Sequence, residues 1–265
     1  GILTMLSLIP ATVLGQLVIE ITGGGEAAVP IAVIPFDWQG NGTAPEDIAG
    51  IIGSNLRRSG QFSLLSESEF SGRPTTADAV DHVRWQALGV DFVVVGRVQS
   101  LGSDDYSVTF QLVDVFTREV QDGRRYRVAG EELRLAGHVI SNKIHEEVIG
   151  EPGVFDTRIA YVGIDGDGPG RRWQLMLADA DGHSPTLLEQ RGRPLMSPSF
   201  SPDGTQIAYV SFESRESAIH LKNVFSGENR PLITSRGLNS SPAWSPDGRM
   251  LAYAHSGEQG ATNIY

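Results

Sequence analysis

The 265-residue chain contains no cysteine. That excludes disulfides, thiolate nucleophiles and cysteine-ligated zinc, without naming a compartment. Positive charge is scarce: 21 Lys and Arg stand against 32 Asp and Glu, a formal net charge of −11. Nucleic acid and anionic membrane surfaces are therefore poor principal partners. The pairs Arg57-Arg58, Arg124-Arg125 and Arg171-Arg172 do not extend into a basic stripe. Long apolar runs are missing too. The uncharged opening GILTMLSLIPATVLG is too short to span a bilayer as a helix. Its end, Val13-Leu14-Gly15, fits a signal-peptidase pattern, so residues 1–15 read as a truncated signal peptide with the mature chain from Gln16. This implies export.

Catalytic signatures are absent as well. No Gly-x-Ser-x-Gly elbow, Gly-x-x-x-x-Gly-Lys-Ser/Thr loop or His-x-x-x-His pair occurs. Glu131-Glu132 and Glu146-Glu147 are adjacent in helical stretches, where neighbouring side chains diverge and cannot share a substrate. Asp165-Gly-Asp167-Gly and Asp179-Ala-Asp181-Gly begin like calcium loops but lack the later acidic ligands, and read as hairpin turns. His138 and His145 read as solvated or half-buried. No cofactor, metal or small-molecule substrate is implied.

What is present falls into two regimes. Leu17–Ile21 (LVIEI) is a short β-rich run before the glycine hinge Gly23–Gly25, so residues 16–28 form an N-terminal arm. Val29–Phe36 reads as a buried strand. Thr43 and Glu46 suggest a capping box for a helix whose apolar face is Ile48, Ile51, Ile52 and Leu56, stopped by Gly60. A strand at Gln61–Ser66 and a helix at Thr76–Leu88 (Val80, Val83, Ala87, Leu88) follow. Asp91–Leu101 and Tyr106–Val115 make a hairpin, Glu119–Val128 another strand, and Glu131–Ile149 a closing helix with Leu133, Ala136, Ile140, Ile144 and Val148 on one side. This predicts an α+β N-terminal domain, a mixed sheet with helices, over residues 29–150.

After Gly150 the helical periodicity stops. SPSFSPDGTQIAYV at Ser197–Val210 returns as SPAWSPDGRMLAYA at Ser241–Ala254, 44 residues later. Ile159-Ala-Tyr-Val162 is an earlier half-copy. That period, with short strands at Ser199–Phe200, Gln206–Phe212, Ile219–Val224 and Pro231–Thr234, predicts a truncated all-β propeller of the WD40-like type over residues 158–265, about two and a half blades. Pro202, Asp203 and Gly204 have the chemistry of a tight turn. Ala208 would permit close packing.

Several segments carry a resemblance: VPIAVIPFDWQGNGTAPEDIAGIIGSNLRRSGQFSLL, ALGVDFVVVGRV, YSVTFQLVDV, GVFDTRIAYV, PLMSPSFSPDGTQIAYVSFES and SPAWSPDGRMLAY. Through them the chain resembles, from end to end, the TolB family of the periplasmic Tol–Pal system. The resemblance implies a non-enzymatic adaptor that binds the lipoprotein Pal through the propeller and TolA through the N-terminal arm. It would serve outer-membrane invagination at division and outer-membrane integrity. Carried onto this chain, the arm residues are Leu17, Val18, Ile19, Glu20 and Ile21. The propeller-mouth residues are Pro194, Leu195 and Met196 in one loop, and Leu238, Asn239 and Ser240 in the next. The alternative is the propeller of an exported prolyl-oligopeptidase-like peptidase.

Overall fold

The computed structural model describes residues 28–265 except 215, 258 and 259. The expected signal peptide and the arm residues Leu17, Val18, Ile19, Glu20 and Ile21 lie outside the described residues. In chain order the first domain comprises β1 (Val29–Val33), β2 (Asp37–Gln39), α1 (Ile48–Ser59), β3 (Phe62–Leu64), α2 (His82–Ala87), β4 (Phe92–Gly102), β5 (Asp105–Asp114), β6 (Val120–Ala129) and α3 (Leu133–Ile149). The sheet order is β3-β1-β4-β5-β6. β1 is parallel to both neighbours, and β4, β5 and β6 are antiparallel, so the sheet is mixed as expected. The expected strand Val29–Phe36 is divided around Pro35, which has no N–H for the ladder; β2 then resumes parallel pairing with β4.

Helices cover both faces. Ile48, Ile52 and Leu56 of α1 and Leu133, Ile140 and Ile144 of α3 meet Val94, Val108, Phe110 and Leu112 of the sheet. Fully burying each such side chain contributes about 1.5–3 kcal/mol. On the other face Trp85 of α2 packs with Ala32, Val93, Val95 and Val113.

Two helix starts differ from expectation. Asp47, not Thr43, caps α1 by accepting the Gly50 N–H at 2.9 Å, while Glu46 faces Arg134 at 3.9 Å. The helix predicted over Thr76–Leu88 is a 3₁₀ turn, Ala77–Ala79, then an extended Val80, then α2 capped by Asp81. Val80 is buried beside Trp85 but Val83 is left exposed, so the assumed common face is not formed. Gly60 does adopt the left-handed stop, at φ 73°.

Beyond α3 the described residues form three β-sheets, with a single 3₁₀ turn at Gly168–Gly170. The first holds β7 (Arg158–Asp165), β8 (Arg172–Asp179) and β9 (Thr186–Arg191). The second holds β10 (Leu195–Phe200), β11 (Gln206–Ser211), β12 (Ala218–Asn223) and β13 (Asn229–Ile233). The third holds β14 (Leu238–Trp244), β15 (Leu251–Ser256) and β16 (Thr262–Ile264). Strands within each sheet are antiparallel and consecutive, as in propeller blades.

The repeated turn is built identically twice. Asp203 Oδ1 takes the Thr205 N–H at 3.0 Å and the Ser201 hydroxyl at 2.6 Å, and Gly204 sits at φ 68°. Asp247 takes the Arg249 N–H at 3.1 Å and the Ser245 hydroxyl at 2.6 Å, with Gly248 at φ 70°. Blades then join through apolar contacts. Leu175, Leu195, Ile207 and Tyr209 fill the first seam; Ala208, Val210, Ile219 and Leu221, with Trp244 and Tyr253, fill the second. Among the described residues no helix is long and apolar enough to cross a membrane.

Candidate protein-docking surface and domain junction

The two predicted mouth segments occupy equivalent positions at the starts of β10 and β14. In each, the pairing register slips: between Met196 and Ser199 in one, between Ser240 and Ala243 in the other. At the slip Ser197 takes φ 50° and Ser241 φ 52°, uncommon for a residue with a Cβ. A bulge recurring at one place in two blades is a built feature that re-aims its neighbours. Met196, directly before the first bulge, is half exposed at 51%, and Leu238, two residues before the corresponding Ser240, at 44%.

The other four predicted mouth residues divide. Pro194 and Ser240 are partly exposed. Leu195 and Asn239 are buried, so neither offers surface. Asn239 is saturated with partners. Its amide Nδ2 donates to the Ser217 and Ser235 carbonyls, both at 2.7 Å, and its Oδ1 faces His255 Nδ1 at 2.9 Å. Its backbone N–H donates to Ser217 Oγ at 2.7 Å, and that hydroxyl donates back to the Asn239 carbonyl at 2.9 Å.

A second polar assembly joins α3 to the turn between β8 and β9. Arg134 Nη2 donates to Asp181, and its Nε lies 3.7 Å from Asp179. His138, read from sequence as solvated or half-buried, is 3% exposed with Nε2 at 3.8 Å from Asp181 Oδ2. Arg134, His138 and Asp179 line a cleft of about 420 Å³ with Glu131, Asp156 and Arg158. Burial, with Arg134 and Arg58 nearby, holds the His138 imidazole below its ordinary value; Asp181 and Asp179 oppose that shift. Burial alone would raise Asp181, but the His183 amide, Arg134, His138 and Arg58 together bring it below the usual carboxylate range.

His138, Asp179 and Asp181 bring three potential ligand atoms close together, yet they do not suit a cation. Arg134 already lies between the two carboxylates, bonded to Asp181 and 3.7 Å from Asp179. A metal-bound imidazole also needs its far N–H to donate to an acceptor, whereas here the Asn55 amide Nδ2, a donor, faces His138 Nδ1 at 2.9 Å. No signal in the sequence points to this assembly. His138 and Asp181 lie 43 positions apart, and Asp181 belongs to a turn whose local hydrogen bond to the His183 amide explains it by itself.

An α/β domain bonded through a polar junction to consecutive propeller-type blades defines a class of modular scaffold. The chain's first part, residues 17–121, matches the family described as the TolB amino-terminal domain, and residues 145–265 match the TolB beta propeller domain. The chain belongs to the TolB family. It is 42% identical over 231 residues to the Tol-Pal system protein TolB of Nitrosococcus oceani, covering 87% of this chain and 53% of that protein. The corresponding protein of Alkalilimnicola ehrlichii is 45% identical over 225 residues, covering 84% and 52%. The chain thus spans about half the length of the curated relatives it matches. The crystal structure of TolB from Acinetobacter baumannii superposes with a TM-score of 0.80 at 33% identity, covering 90% of this chain and 57% of that one.

Proposed function

We propose that this chain acts in the periplasm as a non-catalytic adaptor of a Tol–Pal system. Its propeller binds Pal and its N-terminal arm, Leu17–Ile21, binds TolA, in the service of outer-membrane invagination during division and of outer-membrane integrity. The observation that carries the reading is the succession, in one chain, of both TolB domain families in the same order. The rim chemistry supports it. Met196 and Leu238 are exposed apolar side chains in corresponding segments of adjacent blades, Met196 beside a backbone bulge and Leu238 at the position that Pro194 takes in the other blade. Exposed apolar groups with a rigid polar layer beneath suit a protein partner better than a small polar ligand.

The test uses the full-length protein and calorimetric titration with purified Pal. The double substitution Met196→Glu with Leu238→Glu should weaken Pal binding by about tenfold or more and leave TolA binding intact. Deleting Leu17–Ile21 should have the opposite pattern. Pal binding that is indifferent to both rim substitutions overturns the assignment of the rim; TolA binding that survives the deletion overturns that of the arm.

A further inference from the structure

His138 sits in the N-terminal half of α3, and its hydrogen bonds fix which nitrogen carries the proton. Arg58 donates to Asn55 Oδ1 at 3.0 Å, so the Asn55 amide presents Nδ2 on its other side. That nitrogen donates to Ser141 Oγ at 2.9 Å, and the Ser141 hydroxyl passes its own hydrogen to the Gly137 carbonyl at 2.8 Å. The second Nδ2 hydrogen points at His138 Nδ1, 2.9 Å away. Nδ1 must therefore accept, and the neutral imidazole carries its hydrogen on Nε2. That N–H has no hydrogen-bond partner and stops 3.8 Å short of Asp181 Oδ2 on the β8–β9 turn.

We infer that His138 is a proton-driven switch at the domain junction: neutral, it is held by Asn55 of α1; doubly protonated, it releases Asn55 and closes on Asp181 of the first blade. A proton on Nδ1 sets two donors face to face. Asn55 must then rotate, loosening its bonds to Ser141 and Arg58, and the C-terminal turn of α1 loses its tie to α3. The imidazolium is simultaneously drawn across the remaining gap to Asp181.

The charged groups around the ring divide in sign. From α3 Arg134, and from α1 Arg58, oppose the imidazolium; from the β8–β9 turn Asp179 and Asp181 favour it, and Glu46, before α1, faces Arg134 at 3.9 Å. Burial adds to the opposition, and the imidazole is held below its ordinary value. A histidine with a lowered folded-state value supports the fold fully above its unfolded value, near 6.5, and that support is lost as pH falls toward the lowered one. The switch therefore works under mild acid. It concerns the junction, and it stands whether or not the rim binds Pal.

Nitrogen-detected NMR of the imidazoles in the full-length protein tests the first half. His138 should show the Nε2–H form at neutral pH and titrate below the ordinary histidine value. The Nδ1–H form, or titration at or above that value, overturns the inference. Hydrogen exchange, expressed as protection factors, tests the second half. Between about pH 7.5 and about pH 5, roughly one unit above and 1.5 units below the ordinary histidine value, protection at Asn55–Ser59 should fall about tenfold. His138→Gln, which cannot titrate, should abolish the change. Asn55→Asp supplies an acceptor to Nδ1–H and should move the midpoint upward by about one pH unit or more. An unchanged midpoint in that variant, or the same loss of protection in His138→Gln, overturns the proposed switch. Should His138→Gln not fold, the Asn55→Asp midpoint and the wild-type imidazole spectra still decide the question.

Discussion

The ring of Phe36 occupies the space that a side chain at Gly96 would need. A Cβ there would come within 2.5 Å of Phe36 Cε2 and 2.6 Å of the Thr109 carbonyl oxygen. Gly96 is in the middle of β4, paired with Phe110, and the missing side chain lets Phe36 lie flat on the sheet after the break at Pro35. Gly96→Ala should cost about 1–3 kcal/mol through forced displacement of Phe36 and the β5 backbone. Urea denaturation measures the loss. Combining it with Phe36→Ala, which empties the space, should cost less than the sum of the two single changes.

Asn239 makes its bonds with no exposed surface of its own. Asn239→Ala would leave the Ser217 and Ser235 carbonyls short of a donor and His255 without its acceptor. The expected loss is about 3 kcal/mol, since buried polar groups left unpaired each carry a desolvation penalty. Thermal unfolding measures it. Asn239→Asp should not rescue, because a carboxylate cannot donate to the two carbonyls.

Asp203 and Asp247 answer to acid. The Ser201 hydroxyl, then the Thr205 amide and hydroxyl, hold Asp203 below its usual value; the Ser245 hydroxyl and Arg249 amide do the same for Asp247. A lowered carboxylate supports the fold above its unfolded value and loses that support as pH falls through the lowered one. Stability should therefore decline below about pH 4. The double variant Asp203→Asn with Asp247→Asn should have a shallower acid limb in equilibrium unfolding, with a lower plateau at neutral pH.

Tyr209 answers to base. Its ring is buried between the first two blades, and burial pushes the phenol up to about 12 despite the Asn229 Nδ2 donor at 2.8 Å. Because the folded value is the higher one, the fold is supported below the ordinary phenol value, about 10, and that support is lost as pH rises toward about 12. Tyrosinate absorbance should show one of the six tyrosines ionising last, coincident with unfolding. Tyr209→Phe should remove that final step.

Elements whose causes are local were legible in the sequence, and those with distant causes were not. The turns at Ser201–Gly204 and Ser245–Gly248 close with bonds among residues no more than five positions apart, so spacing alone revealed them. Gly60 stops α1 for the same reason. The start of α1 was misread because Thr43 and Asp47 both have capping chemistry, and Glu46 faces Arg134, far along the chain, rather than completing a box. Val80 belongs to the sheet-facing core beside Trp85, and reaching it breaks a helix that periodicity alone would continue. The repeat did announce that the segments at Pro194–Met196 and Leu238–Ser240 begin corresponding strands of two blades. The burial of both Leu195 and Asn239 at one repeat position follows from strand pairing and packing, which the mixed apolar and polar identities there do not announce. The junction was illegible altogether, since a lone histidine on a helix and an aspartate in a turn each have a sufficient local explanation.

The repeated Ser-Pro-Asp-Gly turns also separate what a blade supplies for itself from what it borrows. Each is closed by its own serine and aspartate and takes no bond from the neighbouring blade. The seams instead depend on Tyr209, Ala208 and Trp244 meeting across blades. In a chain made this way each hairpin carries its own closure, and only the seams make one blade depend on the next.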